Sequence, residues 1–168
     1  MKIFSRIFPR LSCVSIAALL VLGACQTPPP PPADPHAQRD HVLREQGFVQ
    51  TDDGWELQLF EKLLFALDSD TLTSEQHDHI LQMGRSLAAV GVQTLRVEGH
   101  TDSQGSASYN ERLSLRRAQT VTDVLVEAGI PRESIEVHGY GSSHPLNTGT
   151  DKSARAENRR VAIVVPSQ

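Results

Sequence analysis

Apolar residues along this chain recur with strand and helix periods in turn. Phe48-Val49-Gln50 and Trp55-Glu56-Leu57-Gln58-Leu59 flank Thr51-Asp52-Asp53-Gly54, and an Asp-Gly pair between two such runs predicts a hairpin. Upstream, residues 37–46 predict a short helix with Val42 and Leu43 as its apolar positions and Gly47 as its stop. A further apolar stretch runs from Leu63 to Leu67. Thr73-Ser74-Glu75-Gln76 has the form of a capping box. Behind it Ile80, Met83, Leu87 and Val90 keep a helical period as far as Gly91. Val92–Glu98 predicts a strand with Leu95 and Val97 on one face. Ser108-Tyr109-Asn110-Glu111 reads as a second capping box. It opens a helix with Leu113, Arg117, Val121, Val124 and Ala128 along one side, closed by Gly129. Strands follow at Ile135–Tyr140 and Arg160–Val165, separated by a polar loop and a short helical stretch. The order predicts an α+β fold: an α/β sandwich with a β-α-β-α-β core and its helices on one sheet face.

The first 24 residues obey a different pattern. Lys2, Arg6 and Arg10 precede an apolar run from Leu11 to Leu22. That run is shorter than the roughly 20 residues a spanning helix needs, and a basic start with a short apolar middle describes an export signal. The ending Leu22-Gly23-Ala24-Cys25 resembles the lipobox of bacterial lipoproteins. The resemblance implies that Cys25 is acylated, becomes the first mature residue and anchors the chain to a membrane. Gln26 stands where Asp would signal inner-membrane retention, which favours the outer membrane, with the chain facing the periplasm. Pro28–Pro32 is an unbroken proline run, extended at about 3.1 Å per residue and suited to a stiff spacer. The expected organisation is a signal peptide over 1–24, a lipidated linker over 25–46 and a folded domain over 47–168.

Charge narrows the function. Loss of residues 1–24 removes three of 16 basic residues and none of 20 acidic ones, so the mature chain carries a net charge of −7. That balance argues against nucleic acid as a partner. Cys13 leaves with the signal, so Cys25 is the mature chain's single cysteine. His100 and Asp102 lack a third residue at metal-ligand spacing. No nucleophile with a base and an orienting group stands out. A binding protein without metal or cofactor is expected, not an enzyme.

One constellation carries chemistry. Asp102 follows a strand in the loop Gly99-His100-Thr101-Asp102-Ser103-Gln104-Gly105-Ser106, and Arg117 lies two turns into the next helix. Strand-loop-helix geometry can bring both side chains to one cleft. An anion and a cation there fit either a small zwitterionic ligand or a structural salt bridge that closes the loop onto the helix. Arg116 should point to solvent. Glu98-Gly99-His100-Thr101-Asp102, Gly105, Tyr109-Asn110, Leu113-Ser114, Arg117-Ala118, Val121, Leu125 and Asn158-Arg159-Arg160-Val161 together resemble the OmpA-like peptidoglycan-binding family, over about residues 55–165. The resemblance implies that Thr101, Asp102, Gly105, Asn110 and Arg117 bind peptidoglycan. The ammonium of a diaminopimelate side chain would meet Asp102 and its carboxylate Arg117. Asn110 would hold the loop, and Gly105 would let backbone approach the ligand. Asn158, Arg159 and Arg160 suit either shaping the cleft or capping the final strand, and are expected to be structural first.

Glu45-Gln46-Gly47-Phe48, Gly54-Trp55-Glu56 and Val161-Ala162-Ile163-Val164-Val165-Pro166 resemble a signalling branch of that family. The branch works with a YfiR-like periplasmic repressor and an inner-membrane diguanylate cyclase. The resemblance implies that capture of the repressor releases the cyclase; the alternative is a passive tether like the lipoprotein Pal. Leu43, Phe48 and Trp55 are the expected partner-binding patch, although Phe48 and Trp55 also suit the hairpin's share of a core. A compact resting form is expected as well, with residues around Leu43 and Phe48 folded against the domain or against a second copy in a homodimer. If the lipobox reading holds, mass spectrometry of the mature N-terminus will find an acylated Cys25, and a Cys25→Ser chain will leave the membrane fraction. An intact mature Cys25→Ser chain that stays with membrane contradicts it.

Overall fold

The computed structural model describes residues 34–65 and 69–167; Cys25, the signal and the proline run lie outside them. The elements in order are α1 (Pro35–Glu45), β1 (Val49–Thr51), β2 (Gly54–Phe60), α2 (Glu61–Leu64), α3 (Ser74–Ala89), β3 (Leu95–His100), α4 (Ala107–Glu127), β4 (Ile135–Gly141), α5 (Lys152–Asn158) and β5 (Arg160–Pro166). Five strands form one sheet in the order β1-β2-β5-β3-β4. The pair β3–β4 is parallel and is bridged by α4, while β1–β2, β2–β5 and β3–β5 are antiparallel. The α+β sandwich read from periodicity is present, with β5 returning to the centre of the sheet.

Local signals explain most boundaries. Thr73 caps α3 by accepting the Gln76 N–H at 3.3 Å. Helix α4 begins earlier than the Ser108 box predicted: Ser106 is its cap and accepts the Tyr109 N–H at 3.3 Å. Strand β3 begins at Leu95, later than the expected Val92, and continues through His100. Val92 instead closes α3, donating its N–H to Leu87 O at 3.1 Å.

Leu95, Val97, Val161, Ile163 and Val165 from the sheet join Ile80, Met83 and Leu87 of α3 and Val121, Val124 and Leu125 of α4 in a single core. Alternate side chains go to the other face, which carries Arg96, Glu98 and His138. Two glycines set the helix–sheet spacing. A Cβ on Gly99 would sit 1.9 Å from Ser114 O, and one on Gly139 would sit 2.6 Å from Leu115 Cβ. Helix α4 therefore lies directly on the backbone of β3 and β4.

Two expectations are corrected here. The compact unit begins at Ala33, so α1 belongs to the folded domain and not to a linker over 25–46. Its Pro35 takes the helix start, where no N–H is needed. At its other end, Phe48 N donates to Leu43 O and Gly47 N to Arg44 O, both at 3.0 Å; this pairing closes a helix and draws its flanking apolar residues together. The second correction concerns the patch. Leu43, Phe48 and Trp55 are 0%, 3% and 5% exposed and belong to the core. They are not a standing surface: Leu43 is the buried residue of α1, and that helix also sets the Arg44 guanidinium 4.9 Å from the Trp55 ring centre.

On the face opposite the core, Glu98 is bonded to Arg96 and lies 3.6 Å from His100 Nε2. The neighbouring His100 imidazole and Arg96 guanidinium hold its carboxyl down at about 2, from an ordinary 4.5, against the opposing effect of burial. A carboxyl depressed in the folded state stabilises the fold above its unfolded value and loses that contribution as pH falls toward its folded value. The parent's stability advantage over Glu98→Gln, read by urea unfolding, should be full at neutral pH. It should shrink as pH falls from about 4.5 toward about 2. A pH-independent difference would contradict this.

Candidate ligand-binding site

The site forms where three strand ends meet. Phe60 pairs with Arg160 across β2–β5, and His100 pairs with Arg160 across β3–β5. The next residues out, Glu61, Arg159 and Thr101-Asp102, are thereby brought to one corner. A backbone bond from Glu61 N to Arg159 O at 2.9 Å fixes the first two side by side. Helix α4 closes the corner from above, with Asn110, Ser114, Arg117 and Ala118 on its buried side.

Each expected site residue has a distinct place. Thr101 is buried; its N–H donates to Gly141 O at 2.8 Å, and its hydroxyl donates to Asp102 O at 3.0 Å. Asn110 Nδ2 donates to Gln104 O at 2.8 Å and to Asp102 O at 3.3 Å, so it does clamp the loop. Gly105 has φ +91°, with no heavy atom nearer than 3.9 Å to where a Cβ would stand. Backbone conformation, more than space, accounts for glycine at that turn. Asp102 accepts the Gln104 N–H at 3.0 Å on Oδ1 and Arg159 Nη1 at 2.8 Å on Oδ2.

Arg117 is 5% exposed. Its Nη2 donates to Glu61 Oε1 and to Ser69 O, the latter at 3.2 Å, and its guanidinium lies 5.1 Å from the Phe65 ring centre. Arg116, by contrast, is half-exposed and pairs with Asp70 at 2.8 Å, as its neighbouring position on the helix predicts.

Asp102 and Arg117 are thus in one corner, linked through two residues and not to each other. Arg159 Nε lies 2.5 Å from Glu61 Oε2, a charge contact without the alignment of a hydrogen bond. The chain of charges runs Asp102–Arg159–Glu61–Arg117. Arg159, for which both a structural and a cleft-shaping place are expected, is the link. The pairs with Asp102 and Glu61 raise its affinity for the proton against the cost of burial. Asn158 and Arg160 do hold structure: Asn158 brackets Asn147 through two bonds of 2.9 and 2.7 Å, and Arg160 Nε donates to Gln58 at 2.8 Å. Glu61 carried no sequence signal, since its place follows from strand register. A groove of about 490 Å³ is lined by Leu59, Phe60, Leu63, Leu64 and His79 among others, and by none of the four charged residues of the corner.

The OmpA family model matches residues 64–159, which span the loop, Asn110 and Arg117. The chain belongs to the OmpA family. It is 41% identical over 160 residues to the outer-membrane lipoprotein YfiB of Pseudomonas aeruginosa, covering 95% of each chain. It is 36% identical over 147 residues to the putative lipoprotein YfiB of Escherichia coli, covering 87% of this chain and 90% of that one. Among solved structures, the peptidoglycan-associated lipoprotein from Burkholderia pseudomallei superposes with a TM-score of 0.55 at 25% identity. That match covers 64% of this chain and 87% of the other. These relatives place the protein at the outer membrane, on the periplasmic side.

Proposed function

We propose that this protein is an outer-membrane lipoprotein, anchored through Cys25, that binds peptidoglycan at the Asp102–Arg117 corner. The carrying observation is an anion and a cation held at one corner, Asp102 by the clamped loop and Arg117 by the buried side of α4. An outer diaminopimelate carbon bears one ammonium and one carboxylate, which match these two groups in sign. The likeness to the Burkholderia peptidoglycan-associated lipoprotein supports the same ligand.

The likeness to YfiB along nearly the whole chain supports a further reading, in which the protein captures a YfiR-like periplasmic repressor and so frees a diguanylate cyclase. Helix α1 is the element to move. Its buried side chain is Leu43, with Phe48 just beyond its end, and each contributes about 1.5–3 kcal/mol of burial. A partner of micromolar affinity supplies about 8 kcal/mol, enough to offset that loss. Release would uncover Trp55 and present all three side chains together. It would also lengthen the tether: 11 helical residues span about 16 Å at 1.5 Å each, against roughly 36–40 Å extended. A passive wall tether is the competing reading and needs no such release.

Two outcomes test this. Asp102→Ala or Arg117→Ala should lose about 2–5 kcal/mol of binding to purified peptidoglycan, the usual cost of leaving a desolvated charge unpaired. Both variants should keep the parent's circular dichroism. Arg116→Ala should sediment with the wall as the parent does, and equal binding by all three variants places the site elsewhere. For the switch, Leu43→Pro breaks α1 at a cost of about 3 kcal/mol and should raise cellular cyclic-di-GMP. Adding Arg117→Ala should blunt that rise. No rise with Leu43→Pro returns the protein to the tether reading.

A further inference from the structure

The corner that would receive a zwitterion already contains one. Arg159 sits on Asp102 with its guanidinium, where a ligand ammonium would go, and Glu61 sits on Arg117 with its carboxylate, where a ligand carboxylate would go. The two are in contact with each other. We propose that Glu61, supported by Arg159, is a built-in competitor that closes the wall-binding site until a diaminopimelate carboxylate displaces it from Arg117. This rests on the proposed assignment of Asp102 and Arg117 to wall binding.

Three features favour displacement over permanent structure. In each ion pair the internal surrogate has the more exposed side chain: 34% for the Arg159 side chain against 12% for that of Asp102, and 22% for that of Glu61 against 6% for that of Arg117. A ligand arriving from solvent meets the surrogates first. Secondly, Arg117 is incompletely used. Its Nε is buried with no hydrogen-bond partner among the described residues, although an arginine fork matches a carboxylate with two parallel bonds. A ligand carboxylate in bidentate contact would satisfy what Glu61 leaves open. Thirdly, Glu61 stands one residue past the end of β2, at the start of a four-residue helix, so its carboxylate can swing by side-chain rotation without moving the strand.

The consequence is selectivity as well as restraint. Only a ligand bringing its own carboxylate compensates buried Arg117 once Glu61 leaves. The side-chain end of a lysine in the same stem position brings an ammonium alone, without the outer carboxylate.

The test uses the mature full-length chain and two synthetic tripeptides, L-Ala-γ-D-Glu-meso-diaminopimelate and its L-lysine counterpart, by calorimetry. Glu61→Gln keeps the shape and removes the charge, and Glu61→Ala removes the competing group altogether. Both variants should bind the diaminopimelate peptide more tightly than the parent, by about tenfold, with unchanged binding of the lysine peptide. Circular dichroism checks that each variant is folded. Equal or weaker diaminopimelate binding by a folded variant overturns the proposal. So does an equal gain for both peptides, which means a loosened corner. If Arg117→Ala abolishes parental binding while neither Glu61 variant tightens it, the wall-binding assignment stands and the competitor role falls. If neither the parent nor a Glu61 variant binds the diaminopimelate peptide, both fall together.

Discussion

Helix α4 lies against the backbone of β3 and β4 with no side chain between them at Gly99 and Gly139, and the functional corner depends on that contact. A methyl group at Gly99 would overlap Ser114 O, at 1.9 Å, so no other residue fits without lifting the helix. The close seat fixes the rotation of α4, and Ser114 Oγ locks it by accepting the Gly141 N–H at 2.9 Å. With the helix so oriented, Asn110 reaches the carbonyls of the loop leaving β3, and Arg117, two turns on, points into the protein. Protein interiors transmit small displacements with little loss. A shift of α4 would therefore move loop clamp and cation together.

Burying Arg117 brings a cost that the corner has to meet. A guanidinium taken out of water requires an anion with good geometry, and removing one member of such a pair costs more than the pair contributes. Glu61 meets that need from β2's end, and Arg159 keeps Glu61 and Asp102 from facing each other as two carboxylates. The corner is thus charge-balanced by four side chains from four separate stretches of the chain.

What was legible in the sequence was local. Capping at Thr73, the stop at Gly91 and the helical period through Val121 and Val124 depend on neighbours within one or two turns, and these appear in the structure. So do Asn110 and Arg117 on the buried side of α4 and Arg116 on the exposed side. Register was not legible. Nothing near Glu61 in the chain says that Phe60 lies opposite Arg160, so neither Glu61 nor the linking role of Arg159 could be read. Leu43, Phe48 and Trp55 illustrate a second limit. An apolar residue at a domain edge has the same sequence signature whether it anchors a partner or completes the core, and here the core holds all three.

The hairpin of β1 and β2 has a mechanical consequence. Strand β1 pairs with β2 through only three residue positions, and it is the first strand behind α1. A pull on the N-terminal side, were it resisted at the Asp102 loop, would reach this short seam before the longer ladders. Helix α1 and then β1 would bear such a load first, β1 in the geometry of a zipper that opens one hydrogen bond at a time. The seven-position ladder of β2 on β5 and the β5–β3 ladder beyond it share their resistance across many bonds. Tension would thereby be taken up between Pro35 and Thr51, ahead of the ladders that hold the corner.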